Sequence, residues 1–197
     1  MMKSTRQANG FTLIELMVTL AIAAVLMLVA IPNLNSFRKS SELTSVTNQV
    51  IGSINAARGE AMKRGMNAFV APLDNGPSWS VGWAAYVDKT TARSQAYVPG
   101  SDGVVAVQQA IPAGITVTGN GNAGAAAAYI MFDPSGFARS KAPGGPGNLS
   151  LEIKRNDVPA ADQLAQTRII IVSVTGRVRV CKPTSATDAD CKANLAQ

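Results

Sequence analysis

The stretch GFTLIELMVTLAIAAVLMLVAIP, from Gly10 to Pro32, sets the reading of the whole chain. From Phe11 to Ile31 it offers 21 residues with one charge, Glu15. As a helix that length spans roughly 32 Å, enough for the hydrocarbon core of a bilayer. Ahead of it lies a short polar segment, MMKSTRQANG, whose charges are Lys3 and Arg6. Positive charge before an apolar span places that flank on the cytoplasmic side and the rest of the chain outside. A secretory signal would carry a small-residue cleavage site after the apolar run. Ala30-Ile31-Pro32 instead leads into an amphipathic pattern, so the run is expected to stay in the mature chain.

Glu15 is out of place in such a run. A carboxylate in hydrocarbon costs on the order of 2 to 3 kcal/mol, less near an interface. Two readings are open from position alone: a charge kept because it has a partner, or an interfacial glutamate reaching out to the headgroups.

The string around it resembles the class III leader junction of type IV prepilins, pseudopilins and competence pilins, with Gly10, Phe11 and Glu15 in the family's places. That resemblance implies cleavage by a prepilin peptidase after Gly10 and N-methylation of Phe11. It also implies that Glu15 pairs with the terminal amine of a neighbouring subunit during assembly. Pro32 matches the proline found at the end of the first helical stretch in the same family.

Beyond Pro32 a helical period resumes. Phe37, Leu43, Val46, Val50, Ile54, Ala57 and Ala61 recur mostly at three- and four-residue steps and make one apolar face. Gly65 suits the left-handed residue that closes a helix. One long helix is predicted from Phe11 to Arg64, kinked at Pro32, which lacks an amide to donate. After Gly65 the period changes. Runs rich in Val, Ile and aromatics, split by Gly, Pro, Asn and Asp, predict strands. They cover 67–71, 82–88, 104–108, 115–118, 127–132, 149–154, 168–174 and 177–182, with loops at 119–124 and 142–148. A head of about 130 residues buries roughly two thirds of its unfolded surface, enough for one core.

Three strings in this region are similar to the FimT/GspH subgroup of pilin-like proteins. Ala56-Ala57-Arg58-Gly59-Glu60-Ala61-Met62-Lys63-Arg64-Gly65 resembles its helix end. Trp79, Gly82, Trp83, Val87 and Asp88 resemble its tryptophan strand, and Phe132 with Gly136 its F-x-x-x-G turn. The implied fold class is α+β, the type IV pilin fold: a long N-terminal helix, part transmembrane and part amphipathic, packed on an antiparallel β-sheet head. The segments are a cleaved leader (1–10), a transmembrane and assembly helix (11–31), its amphipathic continuation (32–64) and a periplasmic β-rich head (65–197). The implied location is the bacterial inner membrane, single-pass, and then the pilus at the cell surface. Segments 89–126 and 140–166 are not covered by the resemblance.

Composition removes several function classes. The 197 residues hold 18 Lys and Arg against 12 Asp and Glu, a formal +6, and no histidine. The usual general base and the commonest metal ligand are therefore missing. No nucleophile–base set can be assembled, and two cysteines without histidine cannot supply a structural zinc site. No catalytic residue, metal or cofactor is expected. Cys181 and Cys191, ten positions apart in an exported chain, read as a disulfide closing a terminal loop; free thiols in a cytosolic protein are the alternative.

The sharpest functional string is Val174-Thr175-Gly176-Arg177-Val178-Arg179-Val180-Cys181-Lys182. Thr175-Gly176 reads as a hairpin turn. Arg177 and Arg179, two apart, leave one face of the strand, with Val178 and Val180 directed to the core. From 139 to 182 there are eight basic residues against three acidic ones, including Arg139, Lys141, Lys154, Arg155, Arg168 and Lys182. Arginine's planar fork suits phosphate, and each contact releases counterions from DNA. Gly176-Arg177-x-Arg179 resembles the GRxR string of FimT-type minor pilins that bind DNA in natural transformation. The ordinary alternative is that basic residues on an edge strand block edge-to-edge pairing. Arg177, Arg179, Lys182 and Arg168 are the candidate contacts to double-stranded DNA, directed at its backbone and insensitive to sequence. Two other functions share the leader and the fold: a structural minor pilin that primes assembly, and a GspH-like pseudopilin of type II secretion. The partners implied are other pilins, the prepilin peptidase, the inner membrane and, for the first function, DNA. Gly119 to Gly124 matches G-x-G-x-x-G, but an alanine run and a strand follow, so it reads as a loop. Trp79 and Trp83 read as packing residues rather than a ligand cage.

Overall fold

The computed structural model describes residues 10–89, 96–140, 145, 147–185 and 188–191, without the side chains of 29–33. The leader expected over 1–10 therefore lies outside the described residues except for Gly10. The chain divides into two compact units, one ending at Ser41 and the other beginning at Glu42. Helix α1, Leu13–Arg64, contributes to both.

In the first unit the apolar residues from Phe11 to Leu28 are largely exposed in the isolated chain. A helix apolar all round has no self-contained way to cover its sides and is completed by lipid or by other protein. Among the described residues no helix is long and apolar enough to cross a membrane. The span expected over 11–31 also includes side chains outside the described set. The helical backbone is continuous through position 32, so the proline does not end the helix.

The second unit forms around the remainder of α1. Leu43, Val46, Val50, Ile54, Ala57 and Ala61 are buried, as the period predicts. Phe37 is the exception at 70% exposed; it precedes the stretch of helix that meets the sheets. At the C-terminal end Gly65 takes φ 64, and the Met66 amide donates to the Ala61 carbonyl at 3.2 Å. That reverse bond satisfies a carbonyl the helix leaves open.

The strands form two antiparallel sheets rather than one. The first runs β3 (Gly103–Gln108), β2 (Trp83–Val87), β1 (Ala68–Pro72), β5 (Ile130–Phe132), β6 (Ala138–Arg139). The second runs β4 (Ile115–Asn120), β7 (Leu149–Arg155), β8 (Thr167–Val172), β9 (Val178–Cys181). A one-turn helix, α2 (Ala160–Gln163), precedes β8. The predicted strand 127–132 shortens to three residues, because the Ala128 amide turns away to the Gly76 carbonyl. Strand 168–174 ends at Val172, where the turn begins.

Alternation sets the core. In β7, Leu149, Leu151, Ile153 and Arg155 face in while Ser150, Glu152 and Lys154 face out. β1 and β2 are buried on both faces. Their inner side chains join α1, and their outer ones, Phe69, Ala71, Ala84 and Tyr86, form a second cluster with Tyr129, Met131, Leu73 and Tyr97. Phe69 stacks on Tyr86 with centroids 5.6 Å apart. Both tryptophans are core residues with their indole N–H groups satisfied: Trp79 donates to the Ala123 carbonyl and Trp83 to the Ser53 hydroxyl, each at 2.9 Å. The G-x-G-x-x-G string is the end of β4 and a 3-10 turn at Gly121–Gly124 that presents that Ala123 carbonyl.

Candidate functional site

At the start of α1, Thr12 and Glu15 cap each other. The Thr12 hydroxyl oxygen accepts from the Glu15 amide at 3.3 Å. The Glu15 carboxylate accepts from the Thr12 amide at 3.0 Å and from its hydroxyl at 2.9 Å. This reciprocal pair is a capping box, and Thr-x-x-Glu before an apolar run is its sequence signature. Glu15 thus has a partner within its own chain, one the sequence reading missed although the signal was there.

At the other end, β8 and β9 form the expected hairpin. The Gly176 amide donates to the Ser173 carbonyl at 2.8 Å, the Ser173 amide to the Arg177 carbonyl at 3.0 Å, and Gly176 sits at φ 76. A left-handed last residue is the pattern of a short hairpin loop, and glycine adopts it without strain. β9 is the edge of its sheet. Arg179 lies opposite Ile171 in the ladder and is exposed; Arg177 is exposed and precedes the strand; Lys182 is exposed just after it. Neither arginine has a side-chain hydrogen bond or ion pair among the described residues. Val178 packs on the core, but Val180, on the edge strand opposite the buried Ile170, is 46% exposed.

Arg168, Arg155 and Arg139 do not gather around this pair. Arg168 pairs with Ile153 in the ladder, on the core-side face of the sheet, whereas Arg179 lies opposite Ile171 on the other face. Arg168 is half-buried, donates to the Ala165 and Thr167 carbonyls at 3.0 and 2.8 Å, and burial draws its guanidinium down from its ordinary range. It does not belong with Arg177 and Arg179. Arg155, 3% exposed, donates to both carboxylate oxygens of Asp157 and to Glu42, all at 2.8 Å. Those bonds, led by Asp157, hold it charged against the cost of burial. Arg139 pairs with Asp133 at 2.8 Å and lies over the Phe137 ring. Burial works to raise the Asp133 carboxyl, but Arg139 and the amides of Phe137 and Ser135 together hold it below its usual range. Lys141 lies outside the described residues. Among the described residues the wide basic tract thus narrows to Arg177 and Arg179, with Lys154 on the same face of the sheet as Arg179 two strands away, and Lys182 following β9 with the parity of Val178 and Val180.

Cys181 and Cys191 are disulfide-bonded with Cα atoms 5.4 Å apart. The loop between them is tied further by the Asp188 carboxylate, which accepts from the Thr184 amide and hydroxyl at 2.9 and 2.8 Å. Those bonds draw the Asp188 carboxyl below its usual range. Reduction is expected to lower stability by about 3 kcal/mol from loop entropy. Urea unfolding of oxidised and reduced protein measures it, and equal midpoints would mean the bridge adds nothing.

Among the described residues no group of three or more His, Cys, Asp or Glu could hold a metal ion. A long N-terminal helix with an uncovered apolar first part and a capped glutamate at its start, with a two-sheet head, defines a subunit of the pilin and pseudopilin class. The chain belongs to the family described as type II transport protein GspH, whose model matches residues 46–176, more than half of its length. Residues 5–31 match the prokaryotic N-terminal methylation motif. The type IV minor pilin FimU of Pseudomonas aeruginosa is 17% identical with a TM-score of 0.53, over 76% of this chain and 98% of that one. That likeness shows the fold. The minor pseudopilin EpsH of Vibrio cholerae is 13% identical with a TM-score of 0.47, over 73% and 99%. The type IV wide pilus major component PilA4 of Thermus thermophilus is 55% identical over 42 residues, 21% of this chain. The matched segment spans 32% of that protein's length. The family match ends at Gly176, so it does not extend to Arg177 and Arg179.

Proposed function

We propose that this chain is a minor type IV pilin whose head binds double-stranded DNA through Arg177 and Arg179, in support of DNA uptake. Cleavage after Gly10, methylation of Phe11 and anchoring by residues 11–31 belong to the same reading. So does transfer of Glu15 from Thr12 to a neighbour's terminal amine on assembly. What carries the DNA reading is the exposure of both guanidinium groups on an edge hairpin, with no ion pair to either among the described residues. Such forks are free to take phosphate oxygens, and Lys182 lies beyond them along the chain. With no aromatic between them, the contacts are to the backbone and ignore sequence. The family's description as type II transport protein favours a second reading, a pseudopilin whose hairpin arginines only guard a sheet edge.

A fluorescence titration of full-length protein in neutral detergent with a mixed-sequence duplex separates the two. Removing two phosphate contacts, as in Arg177→Ala with Arg179→Ala, is expected to lower the slope of log K against log salt by roughly two. Undetectable binding at low salt, or an unchanged slope in the double variant, would overturn the DNA reading.

A further inference from the structure

Arg177 precedes the first ladder residue of β9, so the turn places it rather than the sheet. That turn is held from outside. The Ala138 amide donates to the Val174 carbonyl at 2.8 Å, and the Val174 amide donates to the Asn148 side-chain oxygen at 2.7 Å. From α1, Arg58 donates through Nε to the Gly136 carbonyl at 2.9 Å and through Nη2 to the Thr175 carbonyl at 3.1 Å. One guanidinium therefore clips the 133–136 turn and the hairpin turn together. The fit around it is close. A Cβ on Gly176 would run into the Gly136 carbonyl oxygen and come within 2.7 Å of Arg58 Nε; one on Gly136 would come within 2.7 Å of the Met62 sulfur. Gly136 and Gly176 both have positive φ, at 78 and 76. Arg58, Gly136 and Gly176 come from three separate strings, on the helix, in the F-x-x-x-G turn and in the arginine hairpin, and they meet at one point.

We propose that Arg58 is the positioning residue of the arginine hairpin, fixing from α1 where Arg177 and Arg179 are presented. The inference rests on the DNA reading for its consequence but not for its geometry. Two donors from one rigid planar group to two carbonyls on different turns set a distance between those turns. A lysine offers a point charge on a flexible stem and sets none. Helix α1 thereby reaches the head's proposed binding site through one side chain.

The test is Arg58→Lys in the full-length chain in neutral detergent, with Arg58→Ala beside it. Amide hydrogen exchange is the first readout and needs no DNA. Exchange at Gly176 and Ala138 is expected to quicken at least about tenfold in both variants, while Val50, Ile54 and Ile170 in the core stay protected. The second readout is titration with the mixed-sequence duplex: Arg58→Lys keeps the charge, so a severalfold loss of affinity there reports position and not net charge. Unchanged exchange at Gly176 and Ala138 in both variants overturns the proposal, as does quickening spread evenly over the core in Arg58→Lys. If exchange changes as expected but the Arg177 and Arg179 double variant binds DNA like the parent, the clip stands and the DNA reading falls. Where Arg58→Ala does not fold, the lysine variant alone decides.

Discussion

Trp83→Ala is expected to destabilise the head by roughly 3 to 5 kcal/mol, the range for removing a fully buried large aromatic. Trp83 is completely buried and opens β2, paired with Pro72 on one side and Gln108 on the other. Its ring fills the space between the first sheet and α1, and its indole N–H reaches the Ser53 hydroxyl on the helix. Substitution by alanine removes the ring and the bond, and the flanking strands keep the hole from closing. Trp83→Phe separates the two effects. It retains most of the packing and leaves the buried Ser53 oxygen without its donor, a loss of about 1 to 3 kcal/mol. Urea unfolding of the full chain in neutral detergent measures both. Against a typical domain stability of about 5 to 15 kcal/mol, the alanine variant removes a large share. A loss below about 1 kcal/mol would contradict the packing described. The preceding Gly82 has a related role: at φ 97, its Cβ would collide with the carbonyl oxygen of Gln108. The glycine–tryptophan pair is therefore a packing device.

Local patterns made the helix readable. Its end at Arg64 follows from the loss of period and from Gly65, and its start at Leu13, two residues inside the expected Phe11, is set by the cap at Thr12. The strands were readable where alternation and turn residues coincide. β6 was not, since two residues, Ala138 and Arg139, carry no period and form a strand only by pairing with Met131 and Phe132. The division into two sheets depends on contacts between distant segments, which no local window records. The basic tract misled for a different reason. A sum of charge along the chain ignores the parity by which β7 and β8 sort it: Arg155 shares a face with Leu151 and Ile153, and Arg168 shares one with Ile170 and Val172. Of the four residues expected to meet DNA, parity separates Arg168, in its own strand, from the outward face, and Lys182 from Arg177 and Arg179, without any structure.

Gly176→Ala is expected to cost about 2 to 5 kcal/mol, combining strain in the left-handed region with overpacking in a tight site. Read only as part of a glycine–arginine string, Gly176 could be taken for a residue that brings DNA close to the backbone. Its surroundings argue otherwise: the space a Cβ would enter is filled by the Gly136 carbonyl and the Arg58 side chain. The substitution forces either the hairpin or the 133–136 turn outward and breaks the bonds from Arg58. A ligand-approach role and a packing role therefore predict different results. If Gly176 served ligand approach alone, Gly176→Ala would weaken DNA binding and leave the unfolding midpoint in place. If it serves the junction, the midpoint falls with or without DNA. Stability then recovers in part when Arg58 is also replaced by Ala, because the atoms the new Cβ meets are partly those of Arg58. That recovery is a coupling between neighbours, and a double-mutant cycle in urea measures it directly. Strict additivity of the two substitutions would show that Arg58 and Gly176 do not share a site, and would remove the link between α1 and the arginine hairpin.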